Sequence, residues 1–168
     1  MTAFQGGISA IRLKPAVQQE LGKHLLTSLP HEACGVLLGA AAAGGMRIDG
    51  YMPMRNVAPD PLHSFVPHPA DWVRAVCRTP SPVGLFHSHP ASPPVPSSAD
   101  LRGLAGWQSL FAVCLIGSPP AQQGELPVWR GYRLSSRDRD GSIPSGMGAE
   151  LELVPLELVP IPVHVLLR

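Results

Sequence analysis

Leu85-Phe86-His87-Ser88-His89-Pro90, with Ser97-Ser98-Ala99-Asp100 close behind it, is the stretch from which the rest of the chain can be read. Two imidazoles two residues apart, at the end of the apolar run Val83 to Phe86, project to the same side of an extended strand, because side chains on a strand repeat every second residue. One cation can then take both nitrogens. Asp100 lies eleven residues past His89, far enough for the chain to turn through the Pro-rich segment from Pro90 to Pro96 and return a carboxylate to the same point. Two neutral nitrogens and one oxygen, with a fourth position left for water, make the ligand set of a catalytic zinc, one per chain, rather than of a closed structural one.

Each piece has a plainer reading when taken alone. Ser97-x-x-Asp100 resembles a capping box, in which Ser caps a helix and the acid three residues on reaches back to the cap. His87 and His89 would serve equally as a strand-end pair bonded to backbone carbonyls. The combination of His-Ser-His-Pro with Ser-x-x-Asp seven residues further on is what favours the metal.

At 168 residues the chain suffices for one sizeable core. A net charge of +1, with no Lys/Arg block, argues against nucleic acid or an anionic membrane as the main partner. Cys34, Cys77 and Cys114 stand in apolar or mixed runs without a Cys-x-x-Cys pair, and are expected as reduced core thiols. No apolar run approaches the ~20 residues of a membrane span, and Met1 to Lys14 lacks the pattern of a secretory signal, so a cytoplasmic location is expected. Pro (20) and Gly (17) are abundant, which predicts short elements separated by many turns.

Ile8 to Leu13 alternates as a half-buried strand. Pro15 suits the first turn of a helix that continues to Leu29, with Val17, Leu21, Leu25 and Leu29 on one face and His24 at its boundary. Glu32 then precedes the central-strand run Cys34 to Gly39; a carboxylate at such a junction is most often solvated or capping. Arg47 to Val57 reads as another strand, and Pro53 suggests that it is an edge. The loop from Pro59 to Pro69 carries His63 and His68, whose spacing gives structural or surface roles precedence over ligation. Pro69 to Arg78 predicts a helix with Trp72, Val73, Val76 and Cys77 inward, and Asp100 to Ser109 another with Leu101, Leu104 and Trp107 inward. Leu110 to Ile116 and Val128 to Leu134 are strands, and Arg137 to Gly141 is a charged turn. A single domain over residues 1–136 follows, with 137–168 as an extension: one short strand near Glu150 to Val154, then an extended remainder pairing with the chain's own sheet edge or with an oligomer partner, a homodimer included.

His87-Ser88-His89, seven residues, Ser97-Ser98-Ala99-Asp100, and Glu32 ahead of Cys34-Gly35-Val36-Leu37-Leu38-Gly39 together resemble the JAMM (MPN-plus) zinc metallopeptidase family, in its stand-alone prokaryotic form. The resemblance runs from the first strand to about Leu134, and Asn56 and Phe65 stand where relatives often carry similar residues. It implies an α/β fold, a cytidine-deaminase-like α-β-α sandwich with a central mixed β-sheet. It also implies that His87, His89 and Asp100 bind zinc, that Glu32 is the general base and that Ser97 helps hold the oxyanion. The implied activity is hydrolysis of the amide after the C-terminal Gly-Gly of a small ubiquitin-like or sulfur-carrier protein, as a carrier-cysteine adduct, a protein conjugate or a fusion precursor. Elementary chemistry agrees: a metal-acidified water, a carboxylate to move its proton and a hydroxyl to meet the developing oxyanion suffice for amide hydrolysis.

Other functions fit less well. A catalytically silent scaffold of the same fold has no need of all five polar positions. A nucleoside or base deaminase would need His-x-Glu with Pro-Cys-x-x-Cys, which this sequence lacks. The cell-wall peptidases that carry this domain have a second hydrolase fused to it, which is also missing from these 168 residues.

Overall fold

A computed structural model describes residues 8–107, 110–122, 124–136 and 156–166. The chain begins with β1 (Ile11–Leu13), α1 (Pro15–Ser28), β2 (Cys34–Ala42), β3 (Gly45–Met54) and α2 (Pro69–Cys77). It continues through β4 (Pro82–Ser88), α3 (Ser98–Leu104), a 3-10 turn (Ala105–Trp107), β5 (Val113–Ser118), β6 (Val128–Ser136), β7 (Leu156–Ile161) and β8 (Val163–Val165). All eight strands join one mixed sheet in the order β7-β6-β5-β4-β2-β3-β1-β8. β4 lies between antiparallel β2 and parallel β5. This is the mixed α/β architecture that the family resemblance implies.

Helix α1 carries Pro at its first position and ends before Pro30, and it buries Val17, Leu21 and Leu25 on the sheet. These three meet Ile11, Leu13, Leu37, Ile48, Phe86 and Leu115, with Trp129, Ile161 and Val163 at the margin. Each such side chain contributes roughly 1.5–3 kcal/mol on full burial. Because strands from across the sheet supply this cluster, α1 fills the hollow of a curved sheet. The other face packs Cys34, Val36, Met54, Leu85, Cys114 and Ile116 against Ala75 of α2 and Leu104 of α3, with Trp72, Trp107 and Phe65 at its border. The strand parity that sends Phe86 into the first cluster sends Leu85 and His87 to the second face.

Several expectations are corrected. β3 is not an edge: it lies between β2 and β1. Pro53 is tolerated because β1 pairs only with Met46, Arg47 and Ile48, leaving the Pro53 end of β3 open on that side. In α2, Val73 is 47% exposed and Cys77 is exposed, while Asp71 and Ala75 face inward. The rotation is set by Asp71, which accepts from the Arg55 backbone N–H at 3.1 Å and from its guanidinium Nε at 2.8 Å. Leu29 caps the end of α1 and is 40% exposed. The expected strand near Glu150 to Val154 and the charged turn at Arg137 to Gly141 lie outside the described residues.

Candidate metal centre

β4 ends at Ser88, and the antiparallel pairing with β2 brings His87 opposite Cys34. The register continues one step further, since the Ser88 N–H donates to the Ala33 carbonyl at 3.0 Å and the Ser88 hydroxyl accepts from the Ala33 N–H at 2.8 Å. The next opposed pair in that register is Glu32 and His89. Both side chains then stand on the sheet face that carries His87.

The chain beyond His89 turns back through a loop pinned at three points. The Tyr132 hydroxyl donates to the Pro94 carbonyl at 2.8 Å, the Ser118 hydroxyl to the Ser92 carbonyl at 2.7 Å, and the His89 N–H to the Gly117 carbonyl at 2.8 Å. α3 then starts with a complete capping box: Ser97 Oγ accepts from the Asp100 N–H at 3.1 Å, and Asp100 Oδ2 accepts from the Ser97 N–H at 2.7 Å. The cap aims Asp100 at the two histidines. His87 Nε2 lies 3.2 Å from Asp100 Oδ1, and His89 Nε2 lies 3.2 Å from Asp100 Oδ2. The two Nε2 atoms are themselves 3.2 Å apart. The plainer reading of Ser97-x-x-Asp100 as a cap is realised, and the same carboxylate stands beside both histidines.

The donor set suits a cation. His89 Nδ1 lies 2.9 Å from the Pro93 carbonyl, which can only accept, so Nδ1 carries the hydrogen and, in the neutral ring, Nε2 presents its lone pair to the centre. His87, His89 and Asp100 are all buried, and they form a compact group of potential metal ligands. Burial would raise the Asp100 pKa, but hydrogen bonds from His87, from His89 in its protonated form and from the Ser97 N–H hold it well below the usual carboxylate range. Burial lowers the His87 pKa. For His89, burial acts the same way but is outweighed by Asp100, the Pro93 carbonyl and Glu32, which hold it above its ordinary value.

Glu32 is only 5% exposed, and its Oε2 has no hydrogen-bond partner among the described residues. Desolvation pushes its carboxyl up to about 7, against an attraction from His89. Its backbone is clamped from both sides, the N–H donating to the Pro61 carbonyl at 2.7 Å and the carbonyl accepting from Asn56 Nδ2 at 3.0 Å. Asn56 also donates to the Ser64 carbonyl and accepts from the Ala58 and Val66 N–H groups, which fastens the 57–66 loop over the site. From that loop Phe65 stacks on the His87 ring, the centroids 4.8 Å apart.

His63 and His68 stand apart from this centre. His63 pairs with Asp60 at the surface, and His68 caps α2 by accepting from the Ala70 N–H. His24 bonds the Tyr51 hydroxyl at 2.7 Å, and His31 is exposed. Residues that the pattern of the sequence did not single out are Cys114, whose Sγ is 3.9 Å from His87 Nδ1, and Pro93, Ser118 and Tyr132, which shape the loop between His89 and Ser97. Their contacts depend on which strands are neighbours, and no local motif records that.

A family model described as prokaryotic homologs of the JAB domain matches residues 14–132, most of the chain and the whole of this centre. The chain belongs to the prokaryotic JAB-domain family. Within the family, it is 38% identical over 94 residues to a Haloferax volcanii protein named Desampylase, covering 54% of this chain and 64% of that protein. It is 28% identical over 99 residues to a Thermus thermophilus protein named Probable TtuB-protein conjugate cleaving protease, covering 56% of this chain and 63% of that protein. The match thus spans less than two thirds of either relative. A Pyrococcus furiosus protein, also named Desampylase, is 28% identical over 109 residues, 62% of this chain and 70% of that one. In fold, the chain is similar to a Desulfitobacterium hafniense protein known from its solution structure, with a TM-score of 0.65, 24% identity and 94% of each chain covered.

Proposed function

We propose that this chain is a zinc-dependent isopeptidase or peptidase that hydrolyses the amide after the C-terminal Gly-Gly of a small ubiquitin-like or sulfur-carrier protein. The observation that carries this reading is the convergence of two Nε2 atoms 3.2 Å apart on a carboxylate whose two oxygens each lie 3.2 Å from one of them, beside a buried carboxylate whose Oε2 has no hydrogen-bond partner among the described residues. Relatives named Desampylase and TtuB-protein conjugate cleaving protease support the class of substrate. No helix among the described residues is long and apolar enough to cross a membrane.

His87 Nε2, His89 Nε2 and Asp100 would hold the ion. Zinc at that point would supply Lewis acidity, of the kind that lowers the pKa of a water molecule to about 7. Glu32 accepts a proton from the water as the new C–O bond forms and hands it to the leaving amine as the C–N bond breaks, so one water is consumed and an acid and an amine are released. Ser97 uses one lone pair on the Asp100 N–H, and its hydroxyl hydrogen is left to meet the oxygen on which negative charge develops.

The decisive experiment incubates the purified chain with Gly-Gly-linked carrier conjugates, carrier-cysteine adducts and fusion precursors, with and without a chelator, and reads cleavage by mass spectrometry. Chelator-sensitive cleavage after Gly-Gly is expected. Glu32→Gln should keep stoichiometric zinc and lose turnover by orders of magnitude, whereas alanine at His87, His89 or Asp100 should strip most of the metal. Cleavage that survives chelation, or an active Glu32→Gln, would overturn the proposal.

A further inference from the structure

His87 has no exposure to solvent, so the protein must satisfy both ring nitrogens. Nε2 faces Asp100 Oδ1 at 3.2 Å. Nδ1 faces the Sγ of Cys114 at 3.9 Å and has no other hydrogen bond among the described residues. Cys114 is itself fully buried on β5, the strand parallel to β4. The contrast with His89 is chemical. A carbonyl oxygen beside His89 Nδ1 accepts only, and therefore fixes one tautomer. A thiol both donates and accepts weakly, and therefore tolerates either.

We infer that Cys114 is the positioning residue for His87 and lets its ring change tautomer between the metal-free and metal-loaded site. The inference rests on the reading of His87, His89 and Asp100 as ligands. In the metal-free chain the His87 hydrogen sits on Nε2 and is donated to Asp100 Oδ1, at the separation seen here, while the Cys114 S–H donates to Nδ1. With Nε2 turned over to a metal, the ring hydrogen sits on Nδ1 and the sulfur accepts it. The ring keeps one hydrogen in both states, and only its position changes. Phe65, stacked on the His87 ring, holds it in place in both. His87 therefore stays hydrogen-bonded before metal arrives, and its ring need not rotate to receive it.

Three full-length chains test this: the parent, Cys114→Ser and Cys114→Val. Serine keeps a group that both donates and accepts, and valine keeps the volume but neither capacity. Zinc affinity, read by competition with a chromophoric chelator, should fall about 10- to 100-fold for Cys114→Val, the usual effect of losing a ligand's outer partner, and stay within about threefold for Cys114→Ser. Cys114→Val binding zinc as tightly as the parent overturns the inference, as do serine and valine weakening it equally, which would make the role one of packing. A readout on the parent alone guards against misfolded variants. Long-range 1H–15N spectra of the imidazoles should place the His87 hydrogen on Nε2 without zinc and on Nδ1 with it, and one tautomer in both states overturns the inference. A parent that binds no zinc overturns the ligand reading together with this inference, whereas a parent that binds while Cys114→Val is unaffected overturns the inference alone.

Discussion

Burial pushes the Glu32 carboxyl up to about 7, and that has a consequence for stability as well as for chemistry. The folded chain binds the Glu32 proton more tightly than the unfolded chain does, so the neutral carboxyl contributes stability below the ordinary value of 4.5, and that contribution is lost as pH rises through about 7. Discounted for solvent screening, an ionised Glu32 costs the metal-free chain about 1–2 kcal/mol. Glu32→Gln removes the charge and keeps the shape. At pH 8 it should raise the melting temperature of the metal-free chain by roughly 2–6 °C, and at pH 5 the gain should shrink toward zero. Thermal melts at the two values, with chelator present, check this; a gain of the same size at both would mean that Glu32 is not the group responsible. Activity and stability then pull in opposite directions at one residue. Little of this was legible locally. Glu32 reads as an ordinary residue at a strand end until the register of β2 on β4 sets it across from His89, and that register is a long-range property.

At the scale of elements, the part of the site that the sequence pattern displayed is the part built from neighbours in the chain. His87 and His89 share a face because of strand parity, and Ser97 with Asp100 forms a cap because of helix geometry. The 57–66 loop was legible only as irregular, because what shapes it is a single side chain. Asn56 donates to two carbonyls and accepts from two N–H groups, joining the end of β3, the backbone of Glu32 and both ends of the loop. Asn56→Ala should cost about 2–4 kcal/mol, the usual range when partly buried backbone groups lose their partner. It should speed amide hydrogen exchange at Val57 and Val66 by tenfold or more and lower turnover while leaving zinc content unchanged, since Asn56 touches none of the three proposed ligands. Unchanged exchange at those amides would show that the loop holds itself. The face of α2 was misread for a related reason. A helical wheel weighs apolar residues, whereas here the Asp71 pair with Arg55 fixes the rotation and leaves Val73 and Cys77 outside.

For the molecule as a whole, the last described strands hold the key. β7 pairs with β6 and β8 pairs with β1, and a single residue, Pro162, separates them, so one extended segment bridges the two sides of the sheet and closes it around α1. The Pro162 carbonyl accepts from the Ile11 N–H at 2.8 Å, and the Leu166 N–H donates to the Leu13 carbonyl at 2.8 Å. Gly131 lies where the two sides meet, and a Cβ there would come within 2.8 Å of both Ile11 Cδ1 and Val163 Cγ2. The segment accommodates its prolines: Pro160 lies in β7, which among the described strands pairs only with β6, and Pro162 falls between the two pairings. Nothing in the composition of the segment says that it serves both edges at once, since closure is a property of sheet curvature and not of any one strand. A chain ending at Arg137 would uncover β6 and β1 together and strip Ile161 and Val163 from the α1 core. It should lose roughly 2–4 kcal/mol of stability, from two partly buried apolar side chains, and should self-associate in sedimentation experiments through its two unpaired edges. The proposed metal centre lies on the opposite face, beside β2, β4 and α3, so zinc affinity should change far less than stability. A truncated chain that stays monomeric and melts with the parent would show instead that the core closes without this segment, leaving the segment's edges for a partner.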